Sequence, residues 1–261
     1  MSDILKVSLI QTTLHWEDID ANLQMFSEKI SSLKEIGDII VLPEMFSTGF
    51  SMNASSLAET MNGKSVTWMQ AKAKEKKCVI TGSLIIKEGN NFYNRLIWMK
   101  PDGTNVTYDK RHLFALAHED KTYTPGDKKL IVELNGWKIH PLICYDLRFP
   151  VWSRRTKRED YDLLIYAANW PERRITAWNQ LLIARAIENQ CYVVGVNRLG
   201  NDGNGIYHPG DSAIINLKGE TLNNTCHDEA CSETISLSKK ELLDFREQLP
   251  FIEAADDFKI N

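Results

Sequence analysis

Apolar positions recur along this chain in two spacings. Residues 5–10, 38–42, 162–168, 193–196 and 212–217 are short apolar runs of strand length, and Pro43 ends the second of them. Residues 22–33 repeat every three to four positions, with Leu23, Phe26, Ile30 and Leu33 on one face of an amphipathic helix. Residues 65–76 predict another helix, with Val66 and Met69 inward and lysines outward. Residues 175–189 predict a third, with Ile175, Trp178, Leu182 and Ile187 near one face. Residues 78–86 and 91–99 read as paired strands around the turn Glu88-Gly89-Asn90. Residues 129–134 and 137–143 flank Asn135-Gly136, a pair that tolerates the positive φ angles of a tight hairpin turn. Pro101-Asp102-Gly103 and Lys218-Gly219 mark further turns, and residues 237–248 a closing helix capped by Ser238.

Strands and helices alternate to the end without a repeat, a low-complexity tract or a Pro/Gly-rich linker. The pattern predicts one domain over residues 1–261, α/β in class, with hairpins that point to two mixed sheets and helices outside them. At 261 residues, 43% hydrophobic and 25% charged, the chain can bury a core without metal or disulfide staples. A net charge of −4, mixed along the chain, lacks the basic footprint of a nucleic-acid binder. The start, MSDILKVSLIQ, has no basic region followed by a long apolar stretch, and no apolar run is long enough to cross a bilayer. Five scattered cysteines, an odd number, argue for free thiols in a reducing compartment, so a cytoplasmic protein is expected.

Candidate chemistry gathers at three strand ends, where loops can carry reactive groups on a rigid base. Glu44 follows the strand at 38–42. Lys110 sits in Tyr108-Asp109-Lys110-Arg111-His112, after a turn and a short extended run. Cys144 stands at the tip of a hairpin strand. Each has an ordinary alternative: Cys144 as a small buried hydrophobe, Glu44 as a cap, Lys110 as a solvated charge.

Together these segments resemble the nitrilase, or carbon–nitrogen hydrolase, superfamily. The resemblance rests on Leu42-Pro43-Glu44-Met45-Phe46-Ser47-Thr48-Gly49-Phe50, Tyr108-Asp109-Lys110-Arg111-His112-Leu113-Phe114 and Ile143-Cys144-Tyr145-Asp146-Leu147-Arg148-Phe149-Pro150. It continues through Asn169-Trp170-Pro171, Ala184-Arg185-Ala186-Ile187-Glu188-Asn189, Gly195-Val196-Asn197-Arg198 and Asp202-Gly203-Asn204-Gly205, nearly to the end of the chain. It implies a four-layer αββα sandwich and a cysteine-dependent amide hydrolase. Cys144 is then the nucleophile, Glu44 the general base, and Lys110 with the backbone N–H of Tyr145 the donors to the oxyanion. A free cysteine has a pKa near ~8.5, and a neighbouring lysine is expected to favour its thiolate. The family also implies a second glutamate that positions the lysine or substrate, a part assigned to Glu119, with an exposed loop acid as the alternative.

Tyr145-Asp146-Leu147-Arg148-Phe149-Pro150 after the cysteine resembles the ω-amidase branch, which hydrolyses the terminal amide of 2-oxo dicarboxylic acid monoamides to a 2-oxo acid and ammonia. Such a substrate carries a carboxylate that an arginine fork suits. Arg148, Arg173, Arg174 and Arg198 are candidates; Arg174 is preferred, and Arg148 has a salt-bridge role as its alternative. Phe46, Phe50, Tyr145 and Trp170 are candidate pocket walls, against plain core packing. Other acyl groups, such as aliphatic amides or N-carbamoyl compounds, and a non-catalytic binding protein are the competing functions. No cofactor is expected, nor a metal: Cys226-His227-Asp228-Glu229-Ala230-Cys231 supplies half a zinc site at most. The glycine-rich loop at 200–205 is not a phosphate-binding GxGxxG, and no GxSxG elbow occurs. The expected partners are a small amide substrate and a second copy of the chain, in a homodimer or higher homo-oligomer. Residues 250–261, with Phe251 and Phe258, form a candidate oligomer-contacting arm, with a frayed tail as its alternative.

Overall fold

The computed structural model describes residues 3–224, 227–256 and 258. The chain runs β1 (Ile4–Gln11), α1 (Ile19–Ser32), β2 (Ile39–Val41), α2 (Ala54–Leu57), α3 (Lys64–Lys76), β3 (Val79–Glu88), β4 (Asn91–Met99) and β5 (Asn105–Asp109). It continues α4 (Glu119–Thr122), β6 (Val132–Leu134), β7 (Trp137–Ile143), α5 (Pro150–Ser153), β8 (Leu163–Ala168), α6 (Ile175–Asn189) and β9 (Tyr192–Asn197). It closes with β10 (Leu199–Asn201), β11 (Tyr207–Pro209), β12 (Ala213–Ile215), β13 (Cys231–Ser238) and α7 (Lys239–Gln248).

Two mixed sheets result, in the orders β13-β1-β2-β3-β4-β5 and β12-β9-β8-β7-β6, with β10 and β11 forming a separate small ribbon. The apolar strand positions divide between two faces, as the two-residue period of a strand requires. Leu5, Val7, Leu9, Ile39 and Val41 of the first sheet meet Trp137, Ile139, Leu163, Ile165 and Val194 of the second in one core. The opposite face of the first sheet (Ile10, Ile40, Ile80) packs on Phe26 and Ile30 of α1 and on Met69 and Ala73 of α3. The opposite face of the second (Leu142, Leu164, Tyr166) packs on Trp178, Leu182 and Ala186 of α6. The layers are therefore helix, sheet, sheet, helix, as expected.

The local devices match the residues that make them. Asp18 caps α1 by accepting the Ala21 N–H at 3.0 Å. Asn135 and Gly136 turn the β6–β7 hairpin with φ angles of 52° and 87°.

Several expectations need correction. The closing helix begins at Lys239, and Leu237 belongs to β13, which pairs antiparallel with β1 along its whole length. That strand is hard to see in sequence because only Leu237 of its eight positions is fully buried. On α6 the inward residues are Trp178, Leu182 and Ala186, spaced by four, so Ile187 lies about 100° off that stripe and is exposed. Cys78, Cys144 and Cys191 carry free thiols, but Cys231 is disulfide-bonded; an odd count excludes complete pairing, not a single bridge. Cys226, the other sulfur of the half zinc site, lies outside the described residues. So do Asp257 and residues 259–261 of the C-terminal arm; in its described part Phe251 and Phe258 are exposed. No described helix is long and apolar enough to cross a membrane.

Candidate active site

Strands from both sheets end at one side of the sandwich, and their ends carry the charged residues. Glu44 follows β2 by three residues, in a turn held to β3: the Leu42 N–H reaches Thr81 O at 2.8 Å, and the Met45 N–H reaches Ser83 Oγ at 2.9 Å. Close approach of that turn to β3 depends on Gly82. A Cβ there would lie 2.9 Å from Leu42 Cβ and 3.0 Å from Phe46 Cδ1. Lys110 follows β5 directly. Glu119 is the first residue of α4. Its Oε2 accepts the Phe114 N–H at 2.6 Å, which folds the loop after Lys110 back over the site.

Cys144 follows β7 and has a φ of +40°, a left-handed conformation that an L side chain occupies only under constraint. The constraint is Asp146. Its fully buried carboxylate accepts the Ile143 N–H at 3.1 Å and the Tyr108 O–H at 2.7 Å. The other oxygen takes the His112 N–H at 3.1 Å and faces His112 Nδ1 at 2.8 Å. One acid thus ties the loop bearing Lys110 to the turn bearing Cys144. Arg185 of α6 braces the same turn, donating to Leu147 O at 2.6 Å.

These pieces converge. Lys110 Nζ lies 2.8 Å from Glu44 Oε1 and 2.9 and 3.0 Å from the two oxygens of Glu119. All three side chains are buried. Glu44 Oε2 accepts the backbone N–H of Asn169, at the end of β8, at 2.9 Å, and the Asn169 amide returns to Glu44 O at 2.5 Å. The Cys144 thiol lies against Glu44 and Lys110, with Sγ 3.8 Å from Asn169 O.

The electrostatics bear out the direction expected of Lys110, which favours the thiolate, but other effects outweigh it. Burial, and then the charge of Glu44, push the Cys144 thiol well above the usual cysteine range, and Lys110 offsets only part of this. The resting sulfur is therefore a thiol. The lysine already faces two carboxylates, and a thiolate would leave the buried cluster with a further uncompensated negative charge. Burial alone would pull Lys110 down, but the charges of Glu119 and Glu44 outweigh it and keep the ammonium protonated. Burial raises Glu119, Lys110 pulls it back down, and Glu44 raises it again.

Cys144 and Lys110 form the floor of a cavity of about 490 Å³. Of the expected wall residues, Tyr145, Arg148, Trp170, Arg174, Phe50 and Arg173 line it. Phe46 does not: it is fully buried, packing edge-on to Phe26 at 5.6 Å and against Trp68, because the turn after Glu44 sends its side chain into the helix-side core. Arg198 does not either. Its guanidinium donates to the carbonyls of Leu199 and Asn201 and so anchors the β10–β11 ribbon. Arg148 makes no ion pair among the described residues; its guanidinium stacks over Trp170 at 4.9 Å. Arg174 lies over Phe114 at 4.8 Å, and burial, then Arg173, lower its affinity for the proton.

Sequence reasoning missed Asn94, which bonds to both glutamates, and the backbone contribution of Asn169. It also missed Trp16, Glu17 and His208, and the place of Asp202, in the lining of the cavity. Asn94 sits inside an apolar strand, where a lone buried amide is the available signal.

Comparison with known proteins shows the family. The pattern of the family described as "Carbon-nitrogen hydrolase" matches residues 6–239. The chain is 46% identical over 258 residues to "Omega-amidase YafV" of Escherichia coli (strain K12), covering 98% of each chain. It is 30% identical over 247 residues to "2-oxoglutaramate amidase" of Bacillus subtilis (strain 168), covering 94% of this chain and 95% of the relative. Among solved structures, XC1258 from Xanthomonas campestris, described as a CN-hydrolase superfamily protein with an arsenic adduct in the active site, superposes with a TM-score of 0.96 at 38% identity over 100% of both chains. Fold, cluster and relatives agree: the chain belongs to the carbon–nitrogen hydrolase family and is a hydrolase acting on carbon–nitrogen bonds.

Proposed function

We propose that this hydrolase is an ω-amidase that cleaves the terminal amide of 2-oxo dicarboxylic acid monoamides, such as 2-oxoglutaramate and 2-oxosuccinamate. The observation that carries the reading is the composition of one cavity. Thiol and ammonium line it, with the buried Glu44 carboxylate directly behind them, and Arg148, Arg173 and Arg174 line its wall without an ion-pair partner among the described residues. Cations left without carboxylates beside a nucleophile suit a substrate that brings its own carboxylate. Likeness to "Omega-amidase YafV" and to two proteins described as 2-oxoglutaramate amidase supports the same substrate class.

The reaction follows from the cluster. Glu44 takes the thiol proton as Cys144 Sγ attacks the amide carbon, so thiolate never has to accumulate in the buried site. Charge developing on the amide oxygen is met by Lys110 Nζ and the Tyr145 backbone N–H. Glu44 returns its proton to the departing nitrogen; ammonia leaves, and Cys144 holds a thioester. Water enters, gives a proton to Glu44, and attacks the acyl carbon to release the 2-oxo acid and restore the thiol. Glu119 touches only its protein neighbours and holds Lys110 in place. The exposed Leu249, Phe251 and Phe258 support a homodimer joined through the C-terminal segment.

Ammonia release from 2-oxosuccinamate, 2-oxoglutaramate, glutamine and a simple aliphatic nitrile tests the substrate class. The two 2-oxo monoamides are expected to exceed glutamine and the nitrile in kcat/KM by at least about 100-fold, the discrimination that charged recognition supplies. Preference for the nitrile, or no turnover of either 2-oxo monoamide, contradicts the reading.

A further inference from the structure

Asn94 lies on β4, one position before the Arg95–Asp109 pair at the end of the β4–β5 ladder. Its carbonyl accepts the Lys110 N–H at 3.0 Å, so the two residues face each other across adjacent strands. Its Nδ2 stands 2.8 Å from Glu44 Oε1 and 3.1 Å from Glu119 Oε1. That end must be the NH2 group, because a carbonyl oxygen there would oppose two carboxylates. The other end, Oδ1, is buried without a hydrogen-bond partner among the described residues. An orphaned acceptor is costly, so the amide is turned at the expense of its own oxygen to serve the two acids.

The arrangement has a chemical consequence. Glu44 and Glu119, both buried, approach the same ammonium, and two like charges so placed favour uptake of a proton by one of them. A proton on Glu44 would leave Cys144 without a base. The NH2 group has two hydrogens, and the geometry directs one to each carboxylate. We propose that Asn94 is a positioning residue that holds Glu44 and Glu119 side by side around Lys110 through one hydrogen bond to each, so that Glu44 is kept as the acceptor of the thiol proton. This rests on Glu44 acting as base to Cys144.

Asn94 does not line the cavity, so its loss is expected to act on kcat and on pH dependence rather than on KM. Asn94→Leu removes both donors; Asn94→Ser is smaller and retains one. With a 2-oxo monoamide that the wild type turns over, Asn94→Leu is expected to lower kcat about 10- to 100-fold, the scale of a lost hydrogen bond to a charged group. KM should change less than about 3-fold, and the acid limb of the kcat/KM profile should move up by about one pH unit, with Asn94→Ser intermediate. A second readout needs no substrate. The rate of Cys144 alkylation by iodoacetamide, followed by mass, is expected to fall about 10-fold at pH 7 in Asn94→Leu, with its pH dependence displaced to higher pH. Circular dichroism and urea midpoints establish that the variants are folded. Unchanged pH profiles and alkylation rates in folded variants overturn the proposal. Loss of folding in both variants also overturns it, in favour of a purely structural role. If the wild type releases no ammonia from any amide, the substrate reading fails, while the alkylation experiment still decides the part played by Asn94.

Discussion

The central residue is a cysteine in an unfavourable setting. Burial and a neighbouring carboxylate both oppose ionisation of Cys144, so in the proposed mechanism its reactivity comes from proton transfer to Glu44 during attack. Lys110 holds the two glutamates together at rest and, in the proposed mechanism, also meets the oxyanion. Lys110→Met is expected to lower kcat by about 100- to 1,000-fold, the cost of one oxyanion donor. It should also lose about 3–5 kcal/mol of stability, because Glu44 and Glu119 are left facing one another without their cation. Steady-state rates and urea unfolding read the two effects, and near-wild-type turnover would contradict the first. The main residues of this cluster were legible in sequence, since Glu44, Lys110 and Cys144 each sit in a distinctive motif. Phe46 was misread because proximity to Glu44 in sequence says nothing about which way a turn sends its next side chain. Asn94 was invisible because its part depends on three segments meeting.

At the scale of elements, strand ends set the geometry. The residue after β5, the turn after β2 and the residue after β7 are each fixed by backbone bonds to a neighbouring strand or to Asp146. Gly82 is the clearest sequence-encoded requirement, because the Glu44 turn passes where a Cβ would stand. Gly82→Ala is expected to cost about 1–3 kcal/mol, as overpacked cores do. It should also lower kcat by at least about 10-fold by displacing Glu44, with the cavity arginines and hence KM little affected. Urea midpoints and steady-state kinetics of the variant check this; unchanged values of both would show that the turn can retreat freely. Apolar runs and the Asn135-Gly136 turn made most strands readable. β13 was not, since an edge strand with one fully buried position lacks the pattern that identifies central strands.

At the scale of the whole molecule, the interior holds two neutral histidines. His140 donates its Nδ1–H to Leu130 O at 2.7 Å, and its Nε2 has no partner among the described residues; burial is the main reason its pKa is lowered to about 4. His208, beside the cavity, is also lowered to about 4, by burial and then by Arg198. The unfolded chain protonates these groups near ~6.5, before the folded protein does. Their contribution is therefore fully present above about pH 6.5 and is lost as the pH falls toward 4. The urea midpoint is expected to drop between pH 7 and pH 5, and His140→Asn should flatten part of that slope. An equal midpoint at both pH values would contradict this. Two sheets packed face to face with helices outside were foreseeable from alternating patterns. The acid sensitivity was not, because it depends on how deeply two particular side chains are buried.

The most direct test of the covalent mechanism is intact-mass spectrometry of protein acid-quenched while turning over 2-oxosuccinamate. An acyl adduct equal in mass to the substrate less ammonia is expected, mapping to the peptide that contains Cys144, with neither adduct nor ammonia release in Cys144→Ala. Sustained ammonia release by a folded Cys144→Ala protein, or an adduct on Cys78 or Cys191 instead, would contradict it.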